Sequence, residues 1–168
     1  MNHLHIREAM PEDAKKILCY LNQIGGESDN LLFGLNEFNL PLEKEKEFLQ
    51  AMKEADKSIM LLGEVEDEIV AIASIQGFTR KRIEHRGNLA ISVMKKYWHQ
   101  GVGTKMMQEL IAFAQSAGIT VLELEVKAEN QNAIALYEKV GFEKIGLYKK
   151  FFKINDVYYD SYLMNLYL

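Results

Sequence analysis

One cysteine, two prolines and one tryptophan in 168 residues close off several classes of protein at once. A lone thiol, Cys19, cannot form an intramolecular disulfide, so no disulfide framework holds this fold together. Its place in the helix-patterned KKILCYL predicts a buried core thiol rather than a nucleophile. No apolar run reaches the roughly 20 residues that span a bilayer, so no membrane contact is expected. The N-terminus lacks the basic-then-apolar layout of a secretion signal, and the expected location is cytoplasmic. No group of Cys, His, Asp and Glu has metal-ligand spacing, so no metal is expected. An excess of positive charge is missing too. With 20 Lys and Arg against 24 Asp and Glu, a net charge of -4 argues against nucleic acid as a partner. One basic island, TRKRIEHR, carries Arg80, Lys81, Arg82 and Arg86. It reads either as a solvated loop or as an attractor for an anionic ligand or substrate.

What is present is a mixture of helical and strand periods with no repeat, linker or low-complexity tract, which predicts a single domain over 1–168. HLHIR reads as a first strand, and Pro11 opens a helix in PEDAKKILCYLNQI. GGESDNLLFGLNEF, 25–38, has no period and reads as a mobile connection, and Pro41 starts a second helix. SIMLLGEV and EIVAIASIQGF form a hairpin across the acidic turn Glu66-Asp67-Glu68. GNLAISV, the helix TKMMQELIAFAQSAG, TVLELEV and the helix NQNAIALYEKVG then alternate. FEKIGLYKKFFKI and VYYDSYLMNLYL close the chain as a hairpin turning at Asn155 and Asp156. The fold class is mixed α/β, with about seven strands flanked by helices.

The stretch YWHQGVGTKMM, 97–107, puts Gly101 and Gly103 where a strand gives way to a helix. A glycine inside a helix costs about 1 kcal/mol against alanine, so the corner needs backbone rather than side chain. Glycines that turn amides toward a helix start make a phosphate-binding corner. A P-loop is excluded because G-x-x-x-x-G-K-[ST] is absent, and a dinucleotide fingerprint fails because its third glycine would fall on Met106.

Two blocks resemble the GCN5-related N-acetyltransferase family. Trp98-His99-Gln100-Gly101-Val102-Gly103 fits the acetyl-CoA motif Q/R-x-x-G-x-G/A in all but its first letter. Asn130 to Phe142 fits N-x-x-A-x-x-L-Y-x-K-x-G-F at every fixed position, including Ala133, Tyr137 and Lys139. The resemblance implies the acyl-CoA N-acyltransferase fold, a mostly antiparallel sheet with one parallel strand pair splayed at the cofactor. It implies acetyl-CoA as co-substrate, its pyrophosphate wrapped by amides of Trp98 through Thr104. Ile91, Ser92 and Val93 would pair with the pantetheine amides and thioester carbonyl, and Asn130 would hold the pantetheine arm. Trp98 departs from the motif's Arg or Gln, and with Tyr97 it is expected to pack against the helix.

Acetyl transfer to an amine requires a neutral amine, a donor for the oxyanion and a proton for the leaving thiolate. Tyr137 stands where the family places the general acid. Glu125, which shares a strand face with Glu123, lies twelve residues before Tyr137. That spacing resembles the general base of ribosomal-protein alanine N-acetyltransferases. His85 and His99 read as solvated loop histidines without a catalytic role. The implied activity is transfer of acetyl to a small amine, amino acid or peptide N-terminus by direct attack. Transfer of another short acyl group, or a CoA-binding module without turnover, are the alternatives. Acceptor residues are expected from 25–38 and the final hairpin, and the aromatic last strand, taken as an edge, implies a homodimer.

Overall fold

A computed structural model describes residues 3–168. Seven strands form one sheet: β1 (His5–Glu8), β2 (Ile59–Val65), β3 (Glu68–Gly77), β4 (Arg86–Val93), β5 (Val121–Lys127), β6 (Glu143–Ile154) and β7 (Val157–Tyr167), in the order β1-β2-β3-β4-β5-β7-β6. Every neighbour pair is antiparallel except β4 with β5. That parallel pairing covers only Arg86–Asn88 against Val121–Glu123. Beyond it the strands part, so the splay expected from the resemblance is present. Four helices, α1 (Ala14–Ile24), α2 (Leu42–Glu54), α3 (Val102–Ser116) and α4 (Gln131–Lys139), flank the sheet.

The alternation of side chains across the pleat builds a core on each face. Met106, Met107 and Leu110 of α3 pack with Ile134 and Tyr137 of α4 on Leu89, Leu122, Leu124 and Met164. On the opposite face Ile17, Tyr20 and Ile24 of α1 and Leu49 of α2 cover Leu62 and Ile72. Arg7 ties β1 to the first helix, its guanidinium bonding Asp13 at 2.7 and 2.8 Å and Glu64 at 2.8 and 2.9 Å. The cation holds both carboxyls below their ordinary range. No helix among the described residues is long and apolar enough to cross a membrane.

Several elements differ from the sequence expectation. A 3-10 turn at Pro11–Asp13 precedes α1. Cys19 is exposed, not buried. It lies two positions from buried Ile17, a rotation of about 200° that carries it to the outer side of the helix. The last strand is not an edge: β7 runs between β5 and β6, so β6 is the edge. The segment 25–38 is a pinned chain of turns rather than a loose connection. Asn22 bonds the backbone of Phe38 in both directions, at 3.1 and 3.2 Å, and Phe33 meets Phe38 edge-on at 5.0 Å. Asn155 and Asp156 both take positive φ, 49° and 62°, as a type I′ hairpin turn demands.

Candidate active site

At the splayed end of β4 a cavity of about 330 Å³ is lined from both sides of the sheet. Ile91, Ser92 and Val93 border it with Trp98, His99, Gly101, Val102, Gly103 and Thr104. Asn130, Ala133, Tyr137 and Lys139 complete the residues expected from sequence. From the other side come Ile24, Glu27, Ser28, Asn30 and Leu31, at the end of α1 and in the loop after it. Two expected residues stand outside this lining: Gln100, whose side chain bonds the Lys96 carbonyl at 2.7 Å, and Glu125.

The hydrogen-bond alternation of an antiparallel pair decides which β4 amides face the gap. Met94 N–H donates to Val70 O at 2.9 Å and Phe78 N–H to Arg86 O at 3.1 Å, so even-numbered β4 residues turn their polar groups to β3. Ile91 and Val93 therefore turn theirs toward β5, where no strand meets them. Ser92 does not, and its hydroxyl shares a hydrogen bond of 3.1 Å with Tyr20 on the opposite face. The Val93 carbonyl is taken by the Trp98 indole N–H at 2.7 Å. Trp98 thus fixes the β4 end in place of the charge that the motif's usual residue would bring.

The two glycines do different jobs. Gly101 is the N-cap of α3 at φ 80°, and a Cβ there would meet nothing within 4 Å. Its conformation belongs to glycine, and the space beside it is open. A Cβ on Gly103 would come within 2.9 Å of Leu136, so Gly103 lets α3 and α4 approach closely. No side chain caps α3, which leaves its first amides unpaired beside the cavity. Those amides and the helix dipole suit an anion, about half a positive charge at the N-terminus. α4 is the contrast: Asn130 Oδ1 accepts from Ala133 N–H at 3.2 Å. The Asn130 side-chain NH₂ has no partner among the described residues and is left for a ligand.

Tyr137 is 6 % exposed and its hydroxyl has no partner among the described residues. Burial pushes the phenol above its ordinary value, so it stays protonated and can only donate a proton. Glu125 projects from the other sheet face. It alternates with the buried Leu124 and Val126, is exposed, and has no partner among the described residues. The acid and the base candidates thus flank the splay from opposite faces. His85 and His99 are both exposed loop residues. Sequence reasoning missed Glu27, whose carboxylate accepts from Lys95 N–H at 2.6 Å and ties the α1–α2 loop to the glycine corner. No local pattern marks such a contact.

The profile of the acetyltransferase (GNAT) family matches residues 30–142. A solved acetyltransferase of the GNAT family from Streptococcus pneumoniae is 34 % identical with a TM-score of 0.95, covering 99 % of this chain and 100 % of that one. The [ribosomal protein bS18]-alanine N-acetyltransferase of Escherichia coli is 36 % identical over 76 residues, 45 % of this chain and 51 % of that protein. The L-amino acid N-acetyltransferase AaaT of Escherichia coli is 31 % identical over 101 residues, 60 % of this chain and 62 % of that protein. The chain spans less than two thirds of either of these two relatives. With both motif blocks folded around one cavity, the chain belongs to the GNAT acetyltransferase family.

Proposed function

We propose that this chain transfers the acetyl group of acetyl-CoA directly to a primary amine. The observation that carries this is the cavity at the splay, where an uncapped helix start, the Ile91 and Val93 amides and a phenol unpartnered among the described residues converge. The α3 amides would hold the pyrophosphate, and Ile91 and Val93 would pair with the pantetheine arm as a strand does. The amine nitrogen attacks the thioester carbonyl, the C–S bond breaks, and Tyr137 gives its proton to the departing sulfur. Glu125, directly or through water, takes the proton that the amine must lose. Among the described residues no cysteine or serine at the cavity is paired with a base as a nucleophile would be: Ser92 is bonded to Tyr20, Ser28 Oγ accepts from Asn30 N–H at 3.4 Å, and Cys19 lies outside the lining. Attack in a ternary complex follows.

Incubation with acetyl-CoA and a panel of amines tests the reading. Release of free thiol that depends on amine is expected. Binding of acetyl-CoA without any release would make the chain a binding module, and preference for another acyl-CoA would change the group transferred. The same reading includes a cytoplasmic location and a homodimer. Support for the dimer comes from the β6 edge, where Ile145 is 50 %, Leu147 47 % and Tyr148 54 % exposed. Light scattering at high concentration that shows only monomer removes the dimer.

A further inference from the structure

On β5 the side chains of Glu123, Glu125 and Lys127 share the face turned away from α3 and α4. The parallel register sets Asn88 level with Glu123. Glu125 and Lys127 lie two and four residues further along β5, past the last paired position, where the strands have parted. Neither lines the cavity itself; both lie on β5 past the opening of the splay, on the sheet face that carries Ser92 and Tyr20. Each charge on this face has a different state. Glu123 is bonded by Arg86. Glu125 is exposed, with no partner among the described residues. Lys127 is only 5 % exposed, yet its ammonium donates no hydrogen bond to any described group. It lies 3.9 Å from the centre of the Tyr159 ring, and its ion contact with Glu129 is long, 3.9 Å, to a carboxylate 68 % exposed.

The Lys127 stem is buried while its ammonium end keeps contact with solvent, so its three donors are open to an incoming acceptor. The Tyr159 ring face steadies the charge but accepts no conventional hydrogen bond from it. Lys127 is thus a cation held in position with its donors open. A carboxylate would complete it. Alternate residues on a strand are about 6.6 Å apart at Cα, and flexible side chains shorten that span. An ammonium on Glu125 and a carboxylate on Lys127 then fit one small zwitterion. A protein N-terminus offers the first charge without the second. The basic island 80–86, which the sequence offers as a solvated loop or an attractor for an anionic substrate, ends on the first residue of β4, and the splay lies past the middle of that strand. Five residues of strand, about 17 Å, separate Arg86 from Ile91.

We propose that Lys127 anchors the carboxylate of the acceptor, and that the acceptor is a free amino acid. This rests on the transferase reading above. The test measures amine-dependent thiol release with the twenty L-amino acids, each beside its carboxamide, for wild type, Lys127→Met and Lys127→Arg. Wild type is expected to prefer the best acid over its amide by about 100-fold in kcat/KM, the scale of losing one partner of a desolvated charge pair. Lys127→Met should erase that preference by raising KM for the acid, with the amide rate and the KM for acetyl-CoA nearly unchanged. Lys127→Arg should keep part of the preference. Equal use of acid and amide by wild type, or an equal loss for both in Lys127→Met, overturns the proposal while transfer itself stands. Turnover of neither, beside transfer to another amine of the panel, overturns this proposal alone; no thiol release with any amine, by a protein that binds acetyl-CoA, overturns the transferase reading and this proposal with it. Should Lys127→Met fail to fold, the wild-type ratio of acid to amide decides.

Discussion

Glu123 and Glu125 sit two residues apart on one strand and one face, yet they belong to different parts of the molecule. Glu123 lies where β4 and β5 are paired, and Arg86 bonds it through Nε at 2.9 Å. Glu125 lies where the strands have parted, exposed and without a partner among the described residues. The pair shows how one strand is divided into a paired end and an open end. At the closed end each group satisfies its neighbour. At the open end the backbone edge of Ile91, the α3 amides, the Tyr137 hydroxyl and the Glu125 carboxylate are left for something else. Unsatisfied groups gathered in one place are what a substrate can complete.

The comparison breaks first at the glycine corner. Gly101→Asp should weaken acetyl-CoA binding by at least about 100-fold, since it strains a left-handed N-cap and places a carboxylate where phosphate would sit. Gly103→Asp should do the same with an added loss of stability, because its side chain meets Leu136. Calorimetric titration of folded protein decides, and undiminished affinity in Gly101→Asp would remove this corner from the site.

Tyr137→Phe comes next. Loss of a general acid should lower kcat by about 10²- to 10⁴-fold, with acetyl-CoA affinity nearly unchanged. Because burial raises this phenol, it remains a proton donor through alkaline pH. The wild-type rate should therefore show no fall from Tyr137 ionisation up to about pH 10. A wild-type rate for Tyr137→Phe in a chemistry-limited assay would leave the ring as packing alone.

Glu125→Gln should act with a pH signature. Near neutral pH, where the acceptor amine is mostly protonated, the rate should drop about 10- to 100-fold. Toward the pKa of the acceptor the variant should recover as free amine becomes abundant. A loss independent of pH would give Glu125 a binding role instead.

The smallest effect sharpens the contrast from the closed end. Arg86→Met and Glu123→Gln should each cost about 1 kcal/mol or less, because both groups are partly exposed. That corresponds to a fall in Tm of about 2 to 4 °C at this size. Neither should change kcat by more than about 2-fold. A fall comparable to that of Glu125→Gln would mean that the closed end also takes part in chemistry.

Much of this was legible in the sequence, for reasons that can be named. Strand β5 carries its apolar alternation openly, β2 and β3 show as near-continuous apolar runs, and the two motif blocks lie on the elements that frame the cavity. The type I′ turns at Glu66–Asp67 and Asn155–Asp156 announced their hairpins without a glycine. Other features depend on contacts distant in sequence. The insertion of β7 between β5 and β6 is a choice of neighbour, and alternation within a strand does not encode it. Leu136 against Gly103 and Glu27 against Lys95 are contacts between separate elements. A glycine motif reads alike whether its lack of a side chain serves a ligand or a neighbouring helix. Lys127 reads as one more strand lysine until the fold buries it on Tyr159.

The short parallel contact between β4 and β5 has a mechanical consequence. With three residue pairs joining them, the seven strands are two blocks, β1 to β4 and β5, β7 and β6, stitched together at one end. A pantetheine arm lying along Ile91 and Val93 would supply the missing rungs of that ladder, so the small molecule would serve as secondary structure. Amide exchange would register this directly. The N–H groups of Ile91 and Val93 should exchange quickly in the free protein and slowly once the ligand is bound. Ser92, already committed to β3, should barely change.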